Sequence, residues 1–495
     1  MKECIENSGA TFDDEREAAP ELCEGGLGYF AAYEQLRKAE CPPGSNAWES
    51  RAHIENKFLL TKLPGTMEWL KRKRPSVVVY CPIWNRVAQL AALALGIPHV
   101  AIVTIAGFGG FHKILTEFIE PEGGTIDKFR QLYESSDINK AAIDELCAPP
   151  FNLDRKLFQY GSPPYYFGRD PDHAPYGMTL GTESLVTTIA SLRDPIYDSI
   201  EEEDKLYEET CGVKLHYVGP MLGEPGQQRA STHKAVFTVE EQKLLIEQSE
   251  QTHRRRSNLH PSGQEDLIGL AKAAKTRGRP IVLVSLGTVV TSDRAGFGWH
   301  GTGLGKSITG KQLVQSVING VLDVAGLSRL SLMESVKVDE STNPLVICAC
   351  GQQPDALDSI DLPPNAICRA SVPQVDILRC MDSTDCFVQH GGQNSTMEGL
   401  RFGIPMVVCP TFSDQPVNAA KLVSLGVGIK VDRPTVSGNE AVESYRNEIA
   451  NAVRTMQSDQ DTYATAARDL KKQVELSGGE ATAEAILIRA IERGL

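Results

Sequence analysis

The sequence predicts an α/β protein of two domains, each built on a parallel sheet. Three observations predict it. Short β-branched runs alternate with helical segments along most of the chain, the pattern of strands joined by helical crossovers. Glycine, often next to proline, closes many of these segments, as at Gly96-Ile97-Pro98 and Gly219-Pro220. The 495 residues exceed what one hydrophobic core organises, so two domains of ordinary size are expected.

The elements follow in order. Ser76–Tyr80 is a strand after a basic, helix-like segment; Val87–Leu95 reads as a helix and His99–Thr104 as a second strand, completing a βαβ unit. Residues Phe118–Met178 are rich in Pro, Gly, Tyr and charge and read as a helical and loop insertion. Thr182–Ile189 and Leu215–Val218 return to strand character. An N-terminal domain over residues 1–221 is therefore expected, followed by a polar linker over 222–264 with a helix at Val239–Gln248. The second domain, 265–475, opens clearly at the buried strand Pro280–Leu286, which runs into Gly287-Thr288 and a glycine-rich loop, Gly296–Gly310. The helix Lys311–Ala325 and strands at Pro344–Ala349 and Ala366–Arg369 come next, then a helix–strand pair ending at Val388. Ile404–Cys409 is a strand and Gln415–Leu425 a helix. Asn439–Gln457 and Tyr463–Val474 are amphipathic helices. A last helix, Ala481–Ile491, lies in a tail, 476–495, expected to pack back on the N-terminal domain.

Composition excludes several classes. The net charge of -14, with basic residues dispersed apart from Lys71–Arg74 and Arg254–Arg256, argues against binding nucleic acid or an anionic membrane. No apolar run reaches the roughly 18–20 residues of a membrane span, and the polar, acidic Met1–Glu17 does not read as a signal peptide. The 12 cysteines are scattered without a CxxC pair, and Cys348 and Cys350 read as packed thiols on one strand. Neither a disulfide framework nor a metal site is expected, and a cytoplasmic setting fits best.

The densest chemistry lies at Val388-Gln389-His390-Gly391-Gly392-Gln393-Asn394-Ser395-Thr396-Met397-Glu398-Gly399-Leu400. A strand ends at His390, and two glycines let a ligand approach the backbone. Asn394, Ser395 and Thr396 are placed to cap the helix that begins there. Free N–H groups at a helix start favour an anion such as a diphosphate. Glu398, a turn further on, is placed to accept hydrogen bonds from a ribose diol. A strand–Gly-Gly–helix turn is also what an ordinary capped turn looks like, so the continuation matters. Gly403-Ile404-Pro405-Met406-Val407-Val408-Cys409-Pro410 leads to Asp414-Gln415, Asn418-Ala419 and Gly426-Val427-Gly428. Asp414 and Gln415 offer an acceptor-only carboxylate and a two-way amide, a pair suited to reading sugar hydroxyls.

With Ser285-Leu286-Gly287-Thr288 and Val372-Pro373-Gln374 upstream, these motifs in this order and spacing resemble the family-1 glycosyltransferases, the UDP-glucuronosyl, UDP-glucosyl and macrolide-type enzymes. The resemblance covers most of residues 280–430. It implies the GT-B fold, two Rossmann-like domains facing a cleft, with the donor held mainly by the C-terminal domain. It also implies inverting transfer without a metal or other cofactor: a hexose passes from a UDP- or TDP-sugar to a hydroxyl of a small, apolar acceptor. Carried over to matching positions, it assigns the diphosphate to His390, Asn394, Ser395 and Thr288, with Gly391 and Gly392 shaping the turn. Glu398 is assigned to the ribose, Asp414 and Gln415 to the transferred sugar, and Val372 and Gln374 to the side of the nucleobase.

Three departures temper the catalytic half of that expectation. Cys4–Phe12 resembles the family's segment just before its third strand, so the N-terminal domain is expected to lack its first strand–helix–strand unit and, with it, the family's base histidine. The acid that partners this base is replaced at Cys81, in Tyr80-Cys81-Pro82, and a thiol does not orient an imidazole as a carboxylate does. The aromatic platform for the nucleobase is replaced by Ser371, a loss of order 1–3 kcal/mol by analogy with base stacking, unless Phe297 or Trp299 of the glycine-rich loop supplies a substitute. The catalytic base is left unassigned, His112 and His300 being more simply loop residues. A sugar-nucleotide-binding paralogue with impaired or no transfer activity is the alternative. Gly301–Ser307 imitates a P-loop with the wrong spacing and context, and Asp170-Pro171-Asp172 reads as loop.

Overall fold

The computed structural model describes residues 10–11, 29–82, 85–105, 123–158, 181–193, 213–222, 266–292, 296–303, 307–326, 343–358 and 360–494, with a few isolated positions between 120 and 209. The expected linker beyond 222, Cys4–Gly9, Phe12, His112 and Asp170–Asp172 lie outside them. The chain divides into two compact units, one of residues 10–221 with 477–495, the other of residues 1–9 with 222–476.

The first unit opens with two helices, α1 (Tyr29–Glu40) and α2 (Ala47–Lys73). The sequence shows only a basic, helix-like segment ahead of Ser76, whereas α2 runs for 27 residues. Two features hide it from a periodicity reading. Pro64 and Gly65 interrupt it, and its buried face includes Ser50, Glu55, Asn56, Lys62 and Thr66, so no clean apolar stripe exists. The start is nonetheless well specified: Asn46 and Glu49 form a reciprocal capping box, at 3.0 and 2.9 Å. The buried amides are used as well, Asn56 Nδ2 donating to the Tyr133 hydroxyl at 2.8 Å and Asn139 Nδ2 to Ala52 O at 2.7 Å.

Strand β1 (Val78–Tyr80), α3 (Arg86–Leu95) and β2 (His99–Val103) form the expected βαβ unit. Within the expected insertion, α4 (Ile126–Ser135) and α5 (Asp137–Cys147) pack on α2. Strands β3 (Glu183–Val186) and β4 (Lys214–Tyr217) complete a four-stranded sheet in the order β1-β2-β3-β4, parallel throughout.

The second unit begins its described part with α6 (Leu267–Thr276), followed by β5 (Ile281–Ser285), α7 (Gly310–Ala325), β6 (Leu345–Ala349), β7 (Ala366–Arg369), α8 (Gln374–Cys380), β8 (Cys386–Gln389), α9 (Gln393–Phe402), β9 (Met406–Val408), α10 (Gln415–Ser424), β10 (Gly428–Lys430), α11 (Asn439–Ser458) and α12 (Gln460–Ser477). Its six strands are parallel, in the order β10-β9-β8-β5-β6-β7. This is the order of a dinucleotide-binding fold, with the direction of winding reversing between β5 and β8. Buried β-branched strands meet α7 and α11 in a core holding Val284, Cys348, Leu313, Val317, Tyr445, Ile449 and Trp299. The described cysteines are free thiols. The last helix, α13 (Gly479–Arg493), belongs to the first unit, where Ala483, Ile486 and Ala490 pack with Val100, Leu185 and Val218. Among the described residues no helix is long and apolar enough to cross a membrane.

One buried carboxylate ties the amino ends of the two central strands. Asp385, buried, accepts from Ile281 N at 2.7 Å and from Lys275 Nζ at 2.9 Å, and Asp382 N donates to it at 2.7 Å. Burial pushes its carboxyl pKa up against the opposing effect of Lys275 and the two amides. Replacing it with alanine leaves the Ile281 and Asp382 N–H groups without this acceptor and Lys275 with only Asp382 Oδ2 and Thr384 Oγ1. Asp385→Ala is therefore expected to lower unfolding free energy by about 3 kcal/mol. Urea titration followed by tryptophan fluorescence measures this, and a midpoint unchanged from wild type would refute the role.

Candidate functional site

The site is assembled at the carboxyl ends of β5 and β8, where the strand order reverses and where ligands of open α/β sheets bind. β5 runs into Gly287, whose φ of +79 only glycine adopts freely, and β8 runs into His390-Gly391-Gly392. The His390 ring lies between the two loops. A Cβ on Gly287 would come within 2.7 Å of His390 Nε2, and one on Gly392 within 2.4 Å of the same atom. Any larger residue at either position displaces the imidazole, so both glycines are explained by the fit and not by the turn alone.

Burial lowers the pKa of His390 to about 4, and the Ser285 backbone beside the ring only partly offsets it, making no well-formed hydrogen bond to the buried Nδ1. At neutral pH the group is an uncharged imidazole and acts as a hydrogen-bonding group rather than as a resident cation. A diphosphate would favour its protonated form.

The helix after it differs from expectation. Asn394, Ser395 and Thr396 do not cap α9: its N-cap is Gly392, with no side-chain cap hydrogen bond, and Thr396 N already donates to Gly392 O at 3.0 Å. The strand-to-helix turn is tighter than the polar run suggests, so these residues fall inside the first turn. The consequence favours an anion, since an uncapped helix start aims its N–H groups and positive dipole end at the site. Asn394 is exposed there and Ser395 buried. Thr288 is exposed at the end of β5, opposite the same turn.

Two bridges that the motif reading did not assign hold the loops together. Gln389, fully buried, accepts from Gly391 N at 2.5 Å, and its amide nitrogen reaches Thr396 Oγ1 at 3.4 Å. Asn418 Nδ2 donates to Gly391 O at 2.8 Å and to Asp414 Oδ2 at 3.0 Å. The Asn-Ala of the sequence motif was the available signal for the second bridge; nothing local distinguishes Gln389. Asp414 is thereby fixed to the His390-Gly391-Gly392 turn, and burial pushes its carboxyl above its ordinary range despite the Asn418 amide. Gln415 is not the two-way amide expected. Its oxygen accepts from Thr411 N at 2.8 Å, Thr411 Oγ1 at 2.6 Å and Phe412 N at 3.3 Å, which leaves the amide nitrogen as the group it has to offer.

On the other side, Gln374 begins α8 and donates to Glu398 Oε2 at 2.6 Å and to Ser395 Oγ at 3.3 Å. The residues expected beside the nucleobase and the ribose are thus brought together, with Val372 buried next to them and Ser371 partly so. Trp299 is not a platform for a base. It is fully buried in the core, with its indole N–H on Asp355 Oδ1 at 2.8 Å. Phe297 instead packs on Phe412, with ring centroids 4.7 Å apart, beside the Asp414 turn. His300 is exposed, and Cys81 is half-buried after β1 in the other unit.

The buried His390 gives a pH dependence whose sign is fixed. Unfolded, an imidazole binds its proton near pH 6.5; folded, near 4. Between these values the unfolded state holds more protons, so stability falls as pH falls, by at most about 3 kcal/mol. A His390→Asn variant should lose this component: from pH 7.5 to 4.5 wild type should lose roughly 2 kcal/mol more than the variant in denaturant titrations. Parallel losses in the two proteins would show that the imidazole is not held neutral.

Comparison with known proteins follows the same division. The family model described as UDP-glucoronosyl and UDP-glucosyl transferase matches residues 339–462. NDP-glycosyltransferase YjiC of Bacillus subtilis is 31% identical over 150 residues, 30% of this chain and 35% of that protein. Cyanidin-3-O-glucoside 2-O-glucuronosyltransferase of Bellis perennis is 42% identical over 83 residues, 17% of this chain and 18% of that one. The matched stretches thus span about a third or less of these relatives. Two solved structures resemble the fold over most of the chain: CalG4, the calicheamicin glycosyltransferase (TM-score 0.52, 16% identity, 93% of this chain and 85% of that one), and the glycotransferase of kitacinnamycin (TM-score 0.50, 19% identity, 91% and 85%). A dinucleotide-type strand order, the histidine-bearing turn at its switch point and the family match over residues 339–462 give this chain the GT-B fold and a C-terminal unit similar to the family-1 glycosyltransferases.

Proposed function

We propose that the chain binds a UDP- or TDP-sugar in its C-terminal unit and transfers the hexose to a hydroxyl of a small apolar acceptor. The observation that carries the reading is the seating of His390 between Gly287 and Gly392 at the start of an uncapped helix, with Asn418 linking that turn to Asp414. Diphosphate and sugar subsites are thereby joined through one side chain. In this reading His390, Thr288, Asn394, Ser395 and the α9 start bind the diphosphate, favouring its negative charge as it becomes the leaving group. Glu398 takes the ribose hydroxyls, with Gln374 and Val372 toward the base. Asp414 and the Gln415 amide nitrogen take the sugar hydroxyls. Inversion and metal independence come from the family resemblance alone.

A second reading is favoured by a specific observation. Cys81 stands where the resemblance places the acid that orients the catalytic base, and no histidine is assigned to partner it. The alternative is a protein that binds the donor without transferring the sugar.

Purified protein assayed with a panel of UDP- and TDP-hexoses and hydroxylated aglycones separates the two. Under the enzymatic reading glycoside forms, His390→Ala weakens nucleoside-diphosphate binding at least tenfold, and Asp414→Ala abolishes transfer while leaving diphosphate affinity within about threefold. Donor binding without turnover across the panel would leave the binding reading standing. Unchanged affinity in His390→Ala would refute the diphosphate assignment.

A further inference from the structure

The glycine-rich segment, in its described residues 296–303 and 307–310, is not a loose connection. Its tryptophan, Trp299, is fully buried, with the indole on Asp355, whose other oxygen meets Lys311 Nζ at 2.6 Å. Main-chain bonds close it on itself: Trp299 N donates to Ser292 O at 2.6 Å, Gly303 N to Gly296 O at 2.8 Å, and Lys311 N to Trp299 O at 2.8 Å. From the far side Arg433 clasps it, donating to Ser307 Oγ at 3.1 Å, to Gly301 O at 3.2 Å and to Ile308 O. A segment held this firmly to the core is a fixed mount, and what it mounts is Phe297, two residues before the buried tryptophan.

Phe297 packs on Phe412, and Phe412 directly precedes the turn that delivers Asp414 and Gln415. That turn is strained. Ser413 has φ +64, a left-handed conformation that costs a non-glycine residue about 1 kcal/mol or more. Such a residue persists only where its neighbours over-determine it. The Gln415 side chain holds Thr411 and Phe412 through their N–H groups and the Thr411 hydroxyl, and the Phe297 ring holds Phe412 through its side chain.

We propose that Phe297 is a positioning residue for the donor's sugar: through Phe412 it holds the Ser413 turn so that Asp414 meets the hexose hydroxyls, making the anchored segment a specificity element of the donor site. The inference rests on the donor reading above and makes a finer claim, that the segment acts on the sugar and leaves the nucleoside diphosphate untouched. The Asn418 bridge holds Asp414 to the diphosphate turn independently, so loss of Phe297 should loosen the sugar end alone.

The test compares UDP and TDP with UDP- and TDP-hexoses by calorimetry on wild type, Phe297→Ala and Phe297→Leu in the full chain. In Phe297→Ala the nucleoside diphosphates should bind within twofold of wild type. The preferred nucleotide hexose should bind about tenfold more weakly, and the preference among hexose epimers should shrink. Phe297→Leu, which keeps apolar contact with Phe412, should recover most of the loss, and it carries the test should the alanine variant fail to fold. Equal weakening of diphosphate and nucleotide sugar, or no change in either, would overturn the inference while leaving the donor site standing. Wild type that binds no nucleoside diphosphate would overturn both.

Discussion

The geometry of the donor unit depends on one steric fit, the imidazole of His390 lying between Gly287 and Gly392. The two glycines sit on the loops after β5 and β8, the strands between which the winding of the sheet reverses. A gap opens at that point because consecutive crossovers leave in opposite directions. The ring fills it against Gly392, the N-cap of α9, whose start carries no side-chain cap. The fit also explains the chemistry of the ring. Enclosure removes water from it and lowers its pKa to about 4. At neutral pH the turn therefore carries an uncharged imidazole beside a helix start instead of a fixed cation.

Side-chain amides do most of the joining around that centre. Gln389 ties the Gly391 amide to the interior, Asn418 ties the Gly391 carbonyl to Asp414, Gln374 ties Glu398 to Ser395, and Gln415 ties the Asp414 turn to Thr411 and Phe412. An amide suits this work because it offers both a donor and an acceptor without a charge to desolvate. The same economy limits what these residues offer a ligand. Gln415 has committed its oxygen to Thr411 and Phe412, so what it has left to offer is a donor, whereas the Asp414 carboxylate is an acceptor.

Much of the fold was legible because its signals are local. Val282–Val284, Cys386–Val388 and Met406–Val408 are apolar runs bounded by glycine or proline, and buried parallel strands are the economical reading of such runs. The helix α2 was not legible: it is buried on more than one side and carries Pro64, so neither periodicity nor propensity marks it. In the site, His390, Glu398, Asp414 and Gln415 were legible as a motif, since they stand in this sequence at the offsets of the family they resemble. What escaped was whatever depends on packing between distant segments. No local rule tells that Asn394 to Thr396 lie within the helix and not at its cap, that Trp299 turns inward, or that Phe297 meets Phe412 across more than a hundred residues of sequence.

The glycine-rich segment shows how such a distant contact becomes reliable. It occupies the first strand-to-helix connection of the dinucleotide fold, on the carboxyl side of the sheet, where length can grow without disturbing the strands. A longer connection adds little closure entropy, since the cost rises only logarithmically with length, but a floppy one would place no side chain with precision. Burying the Trp299 ring in the core supplies an anchor worth roughly 3 kcal/mol, which offsets the backbone ordering of about two of the residues around it. Arg433, at Gly301, Ser307 and Ile308, and the Asp355–Lys311 pair then fix its later part. Its described part thereby behaves as part of the scaffold, so that the aromatic residue it leaves half-exposed, Phe297, reaches Phe412 and the turn before Asp414 with the rigidity of the core behind it.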